Sequence, residues 1–120
     1  MITGVVDAEG VPCIEIEIAG RIWQSVIDTG FNGDLELPSA LHSLLKAKFI
    51  GRIRSLLAGG QTIEEDNFLV RFPFDGIEVR AEATFVLQSE ILSGTHLLRN
   101  HKLEVDFHRK LVRLDRCKLP

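Results

Sequence analysis

Apolar and polar residues alternate along most of this chain, and the dominant period is two. In PCIEIEIAG, Ile14, Ile16 and Ile18 fall on one face and Cys13, Glu15 and Glu17 on the other, the pattern of a half-buried strand. Ala19-Gly20-Arg21 predicts a hairpin turn and residues 22 to 28, IWQSVID, the return strand. That strand becomes wholly apolar at Val26-Ile27, just before Asp28. Thr29-Gly30-Phe31-Asn32-Gly33 breaks it, and Leu35 and Leu37 predict a short strand after the break. Pro38-Ser39 then opens a predicted helix of about three turns, with Leu41, Leu44, Leu45 and Phe49 at helical spacing and Gly51 as its stop.

Strand signals resume from Ile53 to Leu57 and lead into Ala58-Gly59-Gly60-Gln61, a glycine hairpin tip. FLVRF follows, with Phe68, Val70 and Phe72 on one side, and Asp75-Gly76 marks another hairpin. The next strand sets Ile77, Val79, Ala81, Ala83, Phe85 and Leu87 against Glu78, Arg80, Glu82 and Thr84. After Ile91-Leu92-Ser93-Gly94 comes THLLRNH, read as a short helix. KLEVDF and KLVRLD then form a hairpin across His108-Arg109. There is no internal repeat, linker or low-complexity segment. The pattern is one mostly-β domain, residues 1–120, with one medium and one short helix.

Composition narrows the function classes. The chain has 120 residues, 45% hydrophobic and 26% charged, which is one ordinary globular domain able to bury a core without staples. Its net charge of -3 offers no basic footprint for nucleic acid. No apolar run approaches the ~18 residues of a membrane span. The opening MITGVVDAEG lacks the basic start and apolar stretch of a secretory signal, so a cytoplasmic location is expected. Cys13 and Cys117 make neither a disulfide framework nor a zinc site on their own and are read as reduced thiols, with a single bridge tying the two ends together as the alternative.

The segment that carries chemistry is Val26-Ile27-Asp28-Thr29-Gly30. An Asp at the end of an apolar strand is partly desolvated unless something compensates it. Thr29 supplies a hydroxyl, and Gly30 lets a backbone N–H approach the carboxylate. Two readings stand side by side: an Asx-type turn in which Asp28 caps its own loop, and a carboxylate held for acid–base chemistry. Glu64-Glu65-Asp66 reads as a solvated face of the glycine-tipped hairpin that would repel acidic substrates, and Trp23 as packing. The four histidines, His42, His96, His101 and His108, show no metal spacing and read as surface or helix-end residues.

With Asp28-Thr29-Gly30, the hairpin tip Leu57-Ala58-Gly59-Gly60-Gln61 and the later Ile91-Leu92-Ser93-Gly94-Thr95-His96-Leu97-Leu98 in this order and spacing, the chain resembles the retropepsin-like aspartic peptidases. These are the single-domain homodimeric branch of the pepsin clan. The chain is most similar to small bacterial members that carry Asp-Thr-Gly-Phe. The resemblance implies a closed acid-protease-type β-barrel, one lobe per chain. It implies Asp28, Thr29 and Gly30 as catalytic residues, and Phe31, Asn32, Ala58, Gly59, Gly60, Gln61 and Leu92 as substrate-binding residues, with 58–61 in a mobile flap. Since one chain carries one such Asp, the implied unit is a homodimer in which two Asp28 carboxylates share a proton and activate a water. Its partner is a peptide or protein substrate in extended conformation. It needs no cofactor and no metal.

The sequence departs from the viral pattern at three positions. Phe31 replaces the small residue that follows the motif. The acidic residue two places after the motif's glycine and the Arg after the later glycine are here Asn32 and Thr95, so both halves of an ion pair are absent together, and neutral Asn32–Thr95 contacts are expected to stand in. The implied activity is a homodimeric aspartic endopeptidase. The alternative is a non-catalytic dimeric β-barrel module that binds peptides or assembles partners.

Overall fold

Strand β2 (Pro12–Ile18) follows from its alternation: Ile14, Ile16 and Ile18 are buried while Glu15 and Glu17 face outward. Each isoleucine so buried contributes about 1.5–3 kcal/mol. Cys13 departs from the predicted wet face: it is buried as well, and burial pushes its thiol up. Ala19 and Gly20 close the turn to β3 (Arg21–Ile27) with positive φ at both residues. Trp23 packs against the core and donates its Nε1 proton to the Ile18 carbonyl at 3.1 Å.

The computed structural model describes residues 1–118. Besides β2 and β3 it contains β1 (Ile2–Val6), β4 (Leu35–Pro38), β5 (Lys48–Leu56), β6 (Thr62–Phe74), β7 (Ile77–Val86), β8 (Ile91–Ser93), β9 (His101–Asp106) and β10 (Leu111–Arg116). One ten-stranded sheet runs in the order β5-β6-β7-β4-β8-β3-β2-β1-β10-β9. It folds over so that β2 packs against β6, enclosing Ile14, Ile18, Leu35, Leu37, Phe72 and Leu114. Strands β5 and β9 remain unpaired edges of this ladder among the described residues. The expected closed barrel is therefore closed by side-chain packing and not by hydrogen bonding between edge strands.

Both predicted helices are corrected. Among the described residues only Ser39–Leu44 is helical, as a single short 3₁₀ segment seated by Leu41 and by His42 edge-on to Phe68 and Phe85. From Lys48 the chain is β5, paired along β6, and Gly51 marks a β-bulge where the predicted helix should have stopped. Cross-strand pairing of Phe49 with Phe68 outweighs the helical leucine spacing. THLLRNH forms successive turns over 95–100, not a helix, with Leu97 and Leu98 buried. The alternation also concealed β1, in which Thr3 and Gly4 dilute the apolar pattern. This strand joins β2 to β10 and so ties the C-terminal hairpin to the rest.

His101 is not a surface residue. Its side chain is buried at the start of β9, with Nε2 3.2 Å from the Asp75 carboxylate. Arg116 donates to the Phe74 and Asp75 carbonyls from the other side, so the Asp75-Gly76 turn is locked to the last two strands.

The part of the topology that matters for function is the placement of β8. It lies between β3, to which it is parallel, and β4, to which it is antiparallel. The 28–34 loop that joins β3 to β4 must therefore cross the end of β8.

Candidate active site

Asp28 leaves the end of β3 half-buried. Its backbone N–H donates to the Ser93 carbonyl at 3.0 Å, and its own carbonyl accepts from Phe31 N–H at 3.1 Å. The side chain accepts the Gly30 N–H at Oδ1, 2.9 Å. This is the Asx-type turn considered above, and it leaves Oδ2 without a partner among the described residues. Compensation of one oxygen and freedom of the other suit both readings of Asp28. Thr29 and Gly30 are exposed, Phe31 is half-buried and Asn32 is exposed.

Beneath this loop, Ser25 of β3 and Ser93 of β8 are fully buried with their hydroxyls 2.6 Å apart, and Ser25 Oγ also donates to the Ile91 carbonyl. Two buried hydroxyls that satisfy each other join the strands directly under Asp28. Leu92 lies opposite Val26 in the same register, half-buried between them.

The loop is laced to the chain beyond β8 by three backbone bonds: Gly94 N–H to Asp34 O at 2.9 Å, Thr95 N–H to Phe31 O at 2.8 Å and His96 N–H to Gly33 O at 3.2 Å. Gly94 is required by this contact. A Cβ there would run into the Gly33 and Phe31 carbonyl oxygens.

The place of the missing ion pair is taken by a hydrogen-bonded pair, Asp34 two residues later in the loop and His96. Asp34 is buried, its Oδ1 is 2.6 Å from His96 Nδ1, and its Oδ2 accepts the Glu82 N–H of β7 at 2.9 Å. In place of the expected neutral Asn32–Thr95 side-chain contact, Thr95 uses its backbone. A signal for the pair existed: Asp34 precedes the apolar β4 much as Asp28 follows the apolar end of β3.

The Ala58-Gly59-Gly60-Gln61 tip projects from the β5–β6 hairpin. Leu57 N–H donates to Gln61 O at 2.7 Å and Gly60 N–H to Leu57 O at 2.9 Å. Gly60 has φ +82°, a conformation that other residues rarely adopt. Between the hairpin and the loop lies a cavity of about 380 Å³. Phe31, Ile53, Leu56 and Leu57 give it apolar walls, Asn32 and Gly33 its loop side, and Asp34, Glu36, Glu65 and Glu82 its acidic groups. Of the predicted substrate-binding residues, Phe31 and Asn32 line it, whereas Ala58, Gly59, Gly60, Gln61 and Leu92 do not. A separate cavity of about 320 Å³, bordered by Phe74, Arg80 and His101, shares only Asp34 with it.

Glu64-Glu65-Asp66 is not one solvated face. Glu64 and Asp66 pair with Arg52 and Arg54 on the outer side of the hairpin, while Glu65, opposite Ile53, turns to the cavity. Cys13 and Cys117 are free thiols, the first buried and the second exposed. No helix among the described residues is long and apolar enough to cross a membrane.

No protein-family model matches the chain, and no curated protein matches it in sequence. Solved structures do match in fold. A retropepsin-like aspartic protease from Rickettsia conorii superposes with a TM-score of 0.67 at 19% identity, over 94% of this chain and 88% of that one. The protease of simian foamy virus (mac) superposes with a TM-score of 0.57 at 21% identity, over 72% of this chain and 91% of that one. The foamy viral protease-reverse transcriptase superposes with a TM-score of 0.62 at 19% identity over 80% of this chain, which spans only 13% of that protein. The fold is the retropepsin-like aspartic protease fold.

Proposed function

We propose that this protein is an aspartic endopeptidase that works as a homodimer, with Asp28 as the catalytic residue of each copy. The observation that carries the reading is the Asp28 carboxyl itself. It stands at the end of an apolar strand, with one oxygen held by the Gly30 N–H and the other unpartnered among the described residues, on a loop anchored to β8 from below. The exposure of Thr29 and Gly30 supports a face that a second copy completes.

In this mechanism the two Asp28 carboxyls share one proton across a twofold axis. The ionised one takes a proton from a water, whose oxygen bonds to the scissile carbonyl carbon. The protonated one, the partner subunit's Asp28, donates to the carbonyl oxygen. Collapse of the adduct sends a proton to the leaving amine as the C–N bond breaks. Thr29 braces the pair at the axis, and Gly30 lets substrate backbone pass close by. The peptide lies extended under the 58–61 tip, contacting Phe31, Asn32 and Leu92, with the tip as a closing flap. The two free thiols, Cys13 and Cys117, support a cytoplasmic site of action.

The test is cleavage of a peptide library by the parent protein and by Asp28→Asn. The variant should fold and lose activity by at least about 10³-fold, the scale set by removing a catalytic group. Undiminished cleavage by the variant would remove Asp28 from the chemistry. Peptide binding without cleavage by the parent would favour the non-catalytic module.

A further inference from the structure

We propose that the cavity between the β5–β6 hairpin and the 28–34 loop takes a lysine or arginine side chain of the bound peptide, with Glu36 and Glu65 as the residues that select it. This rests on the reading of the cleft as the peptide-binding site of a peptidase.

The hairpin sorts its charges by face. Arg52 and Arg54 lie on the outer side and are neutralised there by Glu64 and Asp66, at 3.3 to 3.8 Å. Period two then forces the inner side to carry Ile53, Ser55 and Glu65. Glu65 therefore borders the cavity as well as the outer surface beside Arg52, an arginine that Glu64 and Asp66 neutralise. Glu36 enters from β4, half-buried.

No lysine or arginine lines the cavity among the described residues, and its one histidine, His96, is already engaged by Asp34. Glu82 accepts the Asn67 amide at 2.8 Å, and the Gln88 side chain lies beside Glu36. Glu36 and Glu65 form no salt bridge among the described residues. Burial pushes the Glu36 carboxyl above the usual carboxylate range, and the charges of Glu65 and Asp28 add to this while a hydrogen bond from Gln88 opposes it in part.

A half-buried carboxylate surrounded by like charge is unfavourable until a cation reaches it. The remaining walls fit the rest of such a side chain. Phe31, Ile53, Leu56 and Leu57 provide an apolar channel for a methylene stem, with the carboxylates for its charged end. An acidic peptide side chain would meet only repulsion there.

The experiment measures binding and cleavage of one extended peptide set whose members differ at a single position: lysine, norleucine or glutamate. Binding is read on Asp28→Asn protein by fluorescence anisotropy, and cleavage on the parent chain. In at least one register the lysine peptide should bind about tenfold more tightly than its norleucine match, and the glutamate peptide more weakly than either. The lysine-to-norleucine ratio should collapse towards one in Glu36→Gln and in Glu65→Gln, two variants on different strands, and Glu65→Lys should reverse the preference towards glutamate. A ratio that stays unchanged in both glutamine variants, or a parent preference for norleucine or glutamate in every register, overturns the proposal. If peptides bind with the lysine preference but none is cleaved, the peptidase reading fails and the cation subsite stands. If peptides are cleaved without that preference, the reverse holds.

Discussion

Asp34 and His96 lie 2.6 Å apart, and through them the loop that carries Asp28 is fastened to two other parts of the sheet. Asp34 gives its second oxygen to the Glu82 N–H of β7 and its carbonyl to Gly94 beyond β8. The two partners are unequally placed: the Asp34 side chain is 5% exposed and that of His96 53%. Removing Asp34 strands the part-buried Glu82 N–H and takes away a buried side chain, whereas removing His96 takes away a side chain that is already half in solvent. Asp34→Ala should therefore destabilise by about 2–4 kcal/mol and His96→Ala by less than about 1 kcal/mol. Urea denaturation of both variants checks the asymmetry, and equal losses would contradict it.

Gly94→Ala should cost about 3 kcal/mol, the upper end of ordinary overpacking, because the new methyl meets the backbone carbonyls of Gly33 and Phe31 as well as the Phe31 ring. Thermal melting beside Gly59→Ala, where a Cβ meets open space, isolates the effect. A Gly94→Ala protein as stable as the Gly59→Ala control would mean the loop does not pack on β8 as described.

Much of this architecture is legible in the residues. The isoleucines of β2 and the middle of β7, from Val79 to Ala83, declare their faces, although Ile77 and Leu87 are exposed and Thr84 is buried, and Asp28-Thr29-Gly30 after Val26-Ile27 marks the loop that the fold places at its centre. What misleads is local spacing that long-range pairing overrides. Leu41 to Phe49 carries a helical rhythm, yet β5 gains more by pairing with β6. Leu97 and Leu98 are buried without a helix to present them. Contacts between distant segments, Ser25 with Ser93 and Asp34 with His96, leave no periodic trace. Nor does a run such as Glu64-Glu65-Asp66 disclose that its middle member faces a cavity.

Glu36→Gln should make the fold as stable as the parent or slightly more so at neutral pH. An acid whose folded-state titration lies above its unfolded value binds protons more readily when folded. Its ionised form therefore lowers stability at higher pH, and that loss is recovered as pH falls through the raised value. The advantage of the glutamine should be a few tenths of a kcal/mol at pH 7 and vanish below about pH 4, where the unfolded chain is protonated too. Denaturation midpoints across that range decide it, and a glutamine variant that is less stable at pH 7 would contradict the like-charge environment.

The 55–65 segment should exchange its amide hydrogens faster than β7 in the free protein and slow on binding a peptide analogue. Its tip has open space around Gly59 and Gly60 and little side-chain packing to hold it. Gly60→Val forces a β-branched residue into φ near +82°, at a local cost of about 1–3 kcal/mol. It should impair peptide binding well beyond its effect on the barrel core. Hydrogen exchange by mass spectrometry gives the answer, and protection at 55–65 equal to that of Ile77–Val86 would make the hairpin a fixed structure and not a flap.

The central claim is that two copies of Asp28 form one catalytic pair, and the most direct measurement is the separation of their carboxyl groups in a crystal structure of the protein. The account predicts a twofold dimer with the two carboxyls facing each other at hydrogen-bond distance, about 2.5–3.0 Å between oxygens. A monomer, or a dimer that holds the two Asp28 side chains apart on separate faces, would contradict it.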